Sequence, residues 1–147
     1  MKPLEPCVTL RVPATADYVD LVRLTLYGIA SKLGFLYEDI EDMKVAVSEA
    51  CNNAVLHAYD EAGHMEIRFR IAPDALTIVV KDEGRSFDVS SELQTVPPTR
   101  GKTIEQLEAG GLGLYLMQAL MDEVDVLSGI GTEVVLTKRL ARSEEMA

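Results

Sequence analysis

Three short stretches of the chain put polar residues where they can act together. In the first, Glu49, Asn53 and His57 recur every four residues, which on a helix makes one line down one side. A carboxylate and an amide oxygen one turn apart are hard donors suited to Mg²⁺, which takes one or two protein ligands and keeps its waters. Glu49 can instead act as a general base toward a hydroxyl or a water. The plain alternative is a solvated Glu49, a locally bonded Asn53 and a structural His57. In the second, Leu76–Lys81 runs into Asp82-Glu83-Gly84. A carboxylate at a strand end accepts a bond from an exocyclic amine, and glycine two residues on lets a flat ring approach the backbone. The same residue types also make an ordinary turn. The third stretch is Gly110-Gly111-Leu112-Gly113-Leu114. Glycines at a helix start turn N–H groups and the positive helix end toward an anion; the alternative is a hinge. No G-x-x-x-x-G-K-[ST] occurs, no strand precedes these glycines, and Leu116 stands where the third glycine of G-x-G-x-x-G belongs.

The elements that must position these residues read as follows. Cys7–Val12 alternates as a strand closed by Pro13. Ala16–Leu33 is helical and stops at Gly34, and Glu38–Ala58 is a second, longer helix. Met65–Ile71 and Leu76–Lys81 form a hairpin around Ala72-Pro73-Asp74-Ala75. The stretch Glu83–Gly111 lacks periodicity and reads as a functional lid or an insert. Leu112–Met121 is a helix, Val124–Leu127 and Thr132–Lys138 are a final hairpin, and residues 141–147 are a frayed tail. This order predicts a single α+β domain over residues 1–147. It would be a two-layer sandwich, a mixed, mostly antiparallel sheet with helices on one face.

A helical wheel sharpens the picture. On the second helix Ile40, Met43, Val47, Ala50, Cys51, Ala54 and Ala58 make the core stripe. The Glu49–Asn53–His57 line lies far round from it and is flanked by Val45, Ala46 and Leu56. Apolar flanks predict partial exposure at the edge of a cleft. On the first helix Tyr18, Val22, Ile29 and Leu33 make the core stripe, while Arg23, Leu24 and Tyr27 point away. Exposed Leu and Tyr beside Arg suit a partner or dimer face, against the alternative of ordinary surface.

With 14 basic and 24 acidic residues among 147, the chain carries −10. That charge disfavours nucleic acid and anionic membranes. A polyanion would have to be met by a metal ion or by backbone N–H groups, and the stretches above offer both. Cys7 and Cys51 lack metal spacing and fit a reduced, cytoplasmic setting. No secretory signal or membrane span is expected.

Glu-x-x-x-Asn on a helix, Asp-x-Gly after a strand, a long lid and Gly-x-Gly opening a helix together resemble the GHKL superfamily. The narrower resemblance is to the anti-sigma-factor serine kinases. It is carried by Ser48-Glu49-Ala50-Cys51-Asn52-Asn53-Ala54-Val55-Leu56-His57-Ala58-Tyr59, by Asp82-Glu83-Gly84-Arg85-Ser86-Phe87-Asp88, and by Gly110–Met117 with Met121-Asp122-Glu123-Val124. It spans roughly Thr9 to Leu140. The resemblance implies a Bergerat-type ATP-binding fold. It implies phosphorylation of a serine on an anti-anti-sigma factor, sequestration of a sigma factor, and ATP/ADP and Mg²⁺ as ligands; the Arg23, Leu24 and Tyr27 face adds the expectation of a homodimer. A nucleotide-dependent anti-sigma module without transfer is the alternative.

By position, Glu49 would be the base, Asn53 would hold Mg²⁺ and phosphates, and Asp82 would bond the adenine amine over Gly84. Gly110, Gly111, Leu112 and Gly113 would cradle phosphates. The chain departs from the pattern at Ser86, where a glycine is usual, and at Glu108-Ala109, where some relatives carry Arg. Arg85, Arg100 and Lys102 are then the lid-cation candidates.

Overall fold

A computed structural model describes residues 6–57, 63–82, 113–129 and 131–140. Gly84, Arg85, Ser86, Arg100, Lys102, Glu108, Ala109, Gly110, Gly111 and Leu112 lie outside the described residues, as do the expected lid and tail. The described elements are strand β1 (Cys7–Pro13), a 3₁₀ turn (Ala16–Tyr18), helix α1 (Val19–Leu33), helix α2 (Tyr37–His57), strands β2 (His64–Ala72) and β3 (Ala75–Asp82), helix α3 (Gly113–Leu120), and strands β4 (Glu123–Gly129) and β5 (Gly131–Arg139).

The sheet order is β1-β2-β3-β5-β4. Every described pairing is antiparallel, so the mixed sheet expected from sequence is antiparallel throughout its described part. Alternation fixes which side is covered. Met65, Ile67 and Phe69 of β2, Leu76, Ile78 and Val80 of β3, and Val134 and Leu136 of β5 all face the helices and are buried. Glu66, Arg68 and Arg70 point the other way. On that outer side Val79 is also buried, in register between Arg68 and Val135.

The helix ends follow local chemistry. Gly34 adopts φ 94°, a left-handed conformation in which glycine has no Cβ penalty. Its N–H reaches Ala30 O and Ser31 O, and the Phe35 N–H also reaches Ala30 O. These bonds satisfy carbonyls that the end of α1 leaves open. At the other end the expected single helix from Ala16 is instead a 3₁₀ turn followed by α1. The change of winding turns Tyr18 outward, 40% exposed. The core stripe of α1 is therefore Val19, Val22, Leu26 and Ala30, with Ile29 and Leu33 only partly buried.

Helix α2 lies at the centre of the layer, against α1, α3 and strands β2, β3 and β5. Ile40, Met43, Val47, Ala50, Cys51 and Ala54 are buried as expected, and Ala58 is outside the described residues. Ala46, expected to flank the polar line, is fully buried too. A helix covered from several sides buries a wider arc than the single stripe assumed on the wheel.

Candidate functional site

The polar line emerges where α2 meets the sheet and α3. Glu49 and Asn53 are both half-buried, at the margin that their apolar flanks predict. Val45 and Leu56 stay exposed on either side of Glu49. The side chain of His57, the last residue of α2, is not among those described. α3 begins at Gly113, which is buried, and a Cβ built there would stand 3.1 Å from Glu49 Oε1. A glycine at this position thus lets the helix start come up against the carboxylate. The first turn of a helix, the positive end of its dipole, is a favourable neighbour for an anion.

On the sheet side, Asp82 ends β3 with only 2% of its surface exposed. It shares its face with Val80, and together with Asn53, Ala50, Ala54, Thr132 and Val134 it lines a small cavity. These walls enclose about 10 Å³, room for a single water. The remaining expected contributors, Gly84 and Gly110–Leu112, are outside the described residues. Asn53 and Asp82, 29 positions apart in sequence, are therefore brought to one cavity.

Thr132 was not among the residues singled out from sequence. Its hydroxyl is buried with no hydrogen-bond partner in the described structure. Leaving such a group unsatisfied costs about 1–3 kcal/mol, so a ligand or water that completes it gains directly. Sequence pattern places Thr132 only at the start of a strand. The signal that finds it is ladder parity, because Thr132, Val134 and Leu136 alternate onto the helix side.

The fold around these residues is a known one. Residues 12–138 match the histidine kinase-like ATPase domain family. The chain belongs to this family and, within it, to the RsbW serine-protein kinases. It is 51% identical over 136 residues to the serine-protein kinase RsbW of Bacillus subtilis strain 168, covering 90% of this chain and 85% of that protein. RsbW of Halalkalibacterium halodurans is 46% identical over 138 residues, with 93% and 85% covered. Among solved structures, the RsbU and RsbW domains of a Mycobacterium tuberculosis protein superpose with a TM-score of 0.67 at 25% identity. That match covers 93% of this chain and 33% of the longer one. The Pseudomonas aeruginosa SiaB–SiaC complex shares the fold, with a TM-score of 0.61 at 12% identity over 90% of this chain and 88% of that one.

As an RsbW kinase the chain is an ATP-binding protein serine kinase. The donor chemistry of its site also suits Mg²⁺. Among the described residues no group of three or more His, Cys, Asp or Glu is placed to hold a metal ion. Mg²⁺ needs no such cage, because it binds through one or two protein oxygens and the substrate phosphates. The Asn53 amide beside the Glu49 carboxylate is that kind of donor set.

The face expected to meet a partner is a separate feature on α1. Leu24 is 69% and Tyr27 46% exposed. With Asp20, Arg23 and Lys44 they line an open groove of about 520 Å³. Arg23 is not simply displayed. Its guanidinium pairs with Asp20 and donates to Ser48 Oγ at 3.1 Å, and Ser48 Oγ donates to Lys44 O at 2.6 Å. Lys44 is bonded to Glu41 at 3.1 Å and lies 5.8 Å from the centre of the Tyr27 ring. Nearby, burial pushes the Cys51 thiol up to about 12, with the Arg23 guanidinium pulling partly against it. Cys51 is thus an inert core group, and Cys7 is exposed. No described helix is long and apolar enough to cross a membrane.

Proposed function

We propose that this RsbW kinase uses Mg-ATP to phosphorylate a serine of an anti-anti-sigma factor and acts as an anti-sigma factor by sequestering a sigma factor. It would thereby repress transcription of stress-response genes in the cytoplasm. The observation that carries the reading is the convergence of Glu49 on the Gly113 start of α3, next to a cavity shared by Asn53 and Asp82. Glu49 accepts the proton of the attacking serine hydroxyl. Asn53 holds Mg²⁺ and the phosphates, and the metal supplies charge neutralisation at the transferring phosphoryl group. Asp82 accepts a bond from the adenine amine over Gly84, and the orphaned Thr132 hydroxyl completes the same pocket. The N–H groups of Gly110, Gly111, Leu112 and Gly113 cradle phosphates, and Arg85, Arg100 or Lys102 supplies a lid cation. The Arg23–Leu24–Tyr27 groove serves protein partners, and the working unit is a homodimer.

The test is transfer of γ-phosphate from labelled ATP to the serine of a cognate partner. In Glu49→Gln transfer falls about 10²–10⁴-fold, while ATP affinity stays within a few-fold. Retained transfer in that variant would sink the base assignment.

A further inference from the structure

Helix α3 runs antiparallel to α2, and the two approach closely at both ends. At one end Gly113 meets Glu49. At the other the Lys138 ammonium of β5 donates to Leu120 O at 2.6 Å and lies 3.9 Å from Asp42 Oδ2. The intervals Asp42–Glu49 and Gly113–Leu120 are both seven residues, roughly two turns and about 10 Å of axis. The helices are therefore matched in length between the two points of approach.

We propose that Lys138 is a positioning residue for the phosphate end of the site. Its ammonium fixes the axial register of α3 on α2, and so sets where Gly113 stands relative to Glu49. Only 13% of the Lys138 side chain is exposed, and a buried cation requires partners. It finds them at a helix C-terminus, where open carbonyls and the negative end of the dipole favour positive charge, and at the Asp42 carboxylate of α2. The Leu120 bond is short and charge-assisted; the Asp42 contact is a looser ion pair. The neighbouring residues of β5 hold the α3–β4 junction independently. Asp122 N–H donates to Thr137 O at 2.9 Å, and Arg139 N–H donates to Asp122 Oδ2 at 2.6 Å. Neither bond reaches α2. Removing the ammonium thus leaves the junction on the sheet and takes away the polar contact to α2, so that the packing of Leu114 and Met117 is left to hold the Gly113 end of α3, where a shift of one residue's rise is about 1.5 Å. Misplacement on that scale at a reacting group costs about 10²-fold in rate.

The test compares Lys138→Met, which keeps the apolar stem, with Lys138→Arg, which keeps a donor. The first readout is hydrogen exchange of the ligand-free protein. α3 amides exchange about 10-fold faster in Lys138→Met, the weight of one charged hydrogen bond, while β3 and β5 amides are unchanged. The second readout rests on the proposed nucleotide site. Mg-ADP affinity falls about 10-fold, adenosine affinity stays within twofold because Asp82 and Thr132 lie on the sheet, and Lys138→Arg restores both. Unchanged α3 exchange overturns the proposal. So does faster exchange with equal losses for ADP and adenosine, which a purely structural lysine would give. If wild type binds neither ADP nor adenosine, the nucleotide reading fails, and the exchange data still decide whether Lys138 sets α3.

Discussion

Gly113→Ala separates catalysis from stability at a single methyl group. The added Cβ stands 3.1 Å from Glu49 Oε1, so the carboxylate must give by a few tenths of an ångström or swing to another rotamer. The backbone does not object. Among the described residues Gly34 is the glycine with positive φ, so Gly113 sits in a conformation that alanine adopts freely. Alanine is also the better helix former, by up to about 1 kcal/mol in a helix interior and less at a first position. Melting temperature should therefore hold or rise slightly. A displaced base is more sensitive: a shift of up to about 1 Å lowers transfer about 10- to 100-fold, or roughly 1.4–2.7 kcal/mol of barrier. The methyl points at Glu49, so Mg-ADP affinity changes by less than about threefold. The assay is single-turnover transfer from labelled ATP to the partner serine, beside a thermal melt and an ADP titration. Transfer at the wild-type rate in a folded Gly113→Ala protein would refute the claim that the carboxylate works from its position against α3.

Other outcomes follow from the same geometry. Thr132→Val removes an orphaned buried hydroxyl, so the ligand-free protein gains about 1–3 kcal/mol while Mg-ADP affinity falls; a loss of stability, or unchanged affinity, contradicts the pocket role. The Cys51 thiol ionises at about 12 in the folded protein against 9.0 ordinarily. Above pH 9 the unfolded state binds fewer protons, so stability is intact below that pH and is lost as pH rises toward 12. By pH 10 the loss relative to neutral pH is about 1.4 kcal/mol, and chemical denaturation should find it absent in Cys51→Ala. Leu24→Glu places a charge in the α1 groove and weakens partner binding at least about 10-fold with ADP affinity unchanged; calorimetry showing full partner affinity would remove that groove from the interface.

The placement of the polar residues that share one helix was legible in sequence. Glu49 and Asn53 need only a period of four to be neighbours, and their apolar flanks foretold half-burial. Asp82 was legible for a similar reason, since strand alternation and the following glycine are local. Ala46 was misjudged because a wheel carries one burial direction and α2 is covered from several. Tyr18 was misjudged because the sequence does not announce the switch from 3₁₀ to α winding after Ala16. Thr132 and Lys138 stayed hidden for a stronger reason. Their roles depend on which strand β5 pairs with and which helix lies over its two ends, and these contacts join residues far apart in the chain. Within β5 the same alternation sends Thr132 to the cavity and Lys138 to the far end of α3, with Val134 and Leu136 between.

The sheet order has a consequence for when a ligand can be held at all. Asp82 comes from the β2–β3 hairpin and Thr132 from the β4–β5 hairpin, and each hairpin closes on its own neighbours in sequence. The cavity between them exists only once β3 and β5 have paired, across roughly 50 residues of intervening chain. Closing a loop of that length costs about 3–4 kcal/mol of chain entropy, and a ligand held by both residues would contribute against that cost from both sides of the seam. Occupancy of the pocket is thus a report that the two halves of the sheet have joined.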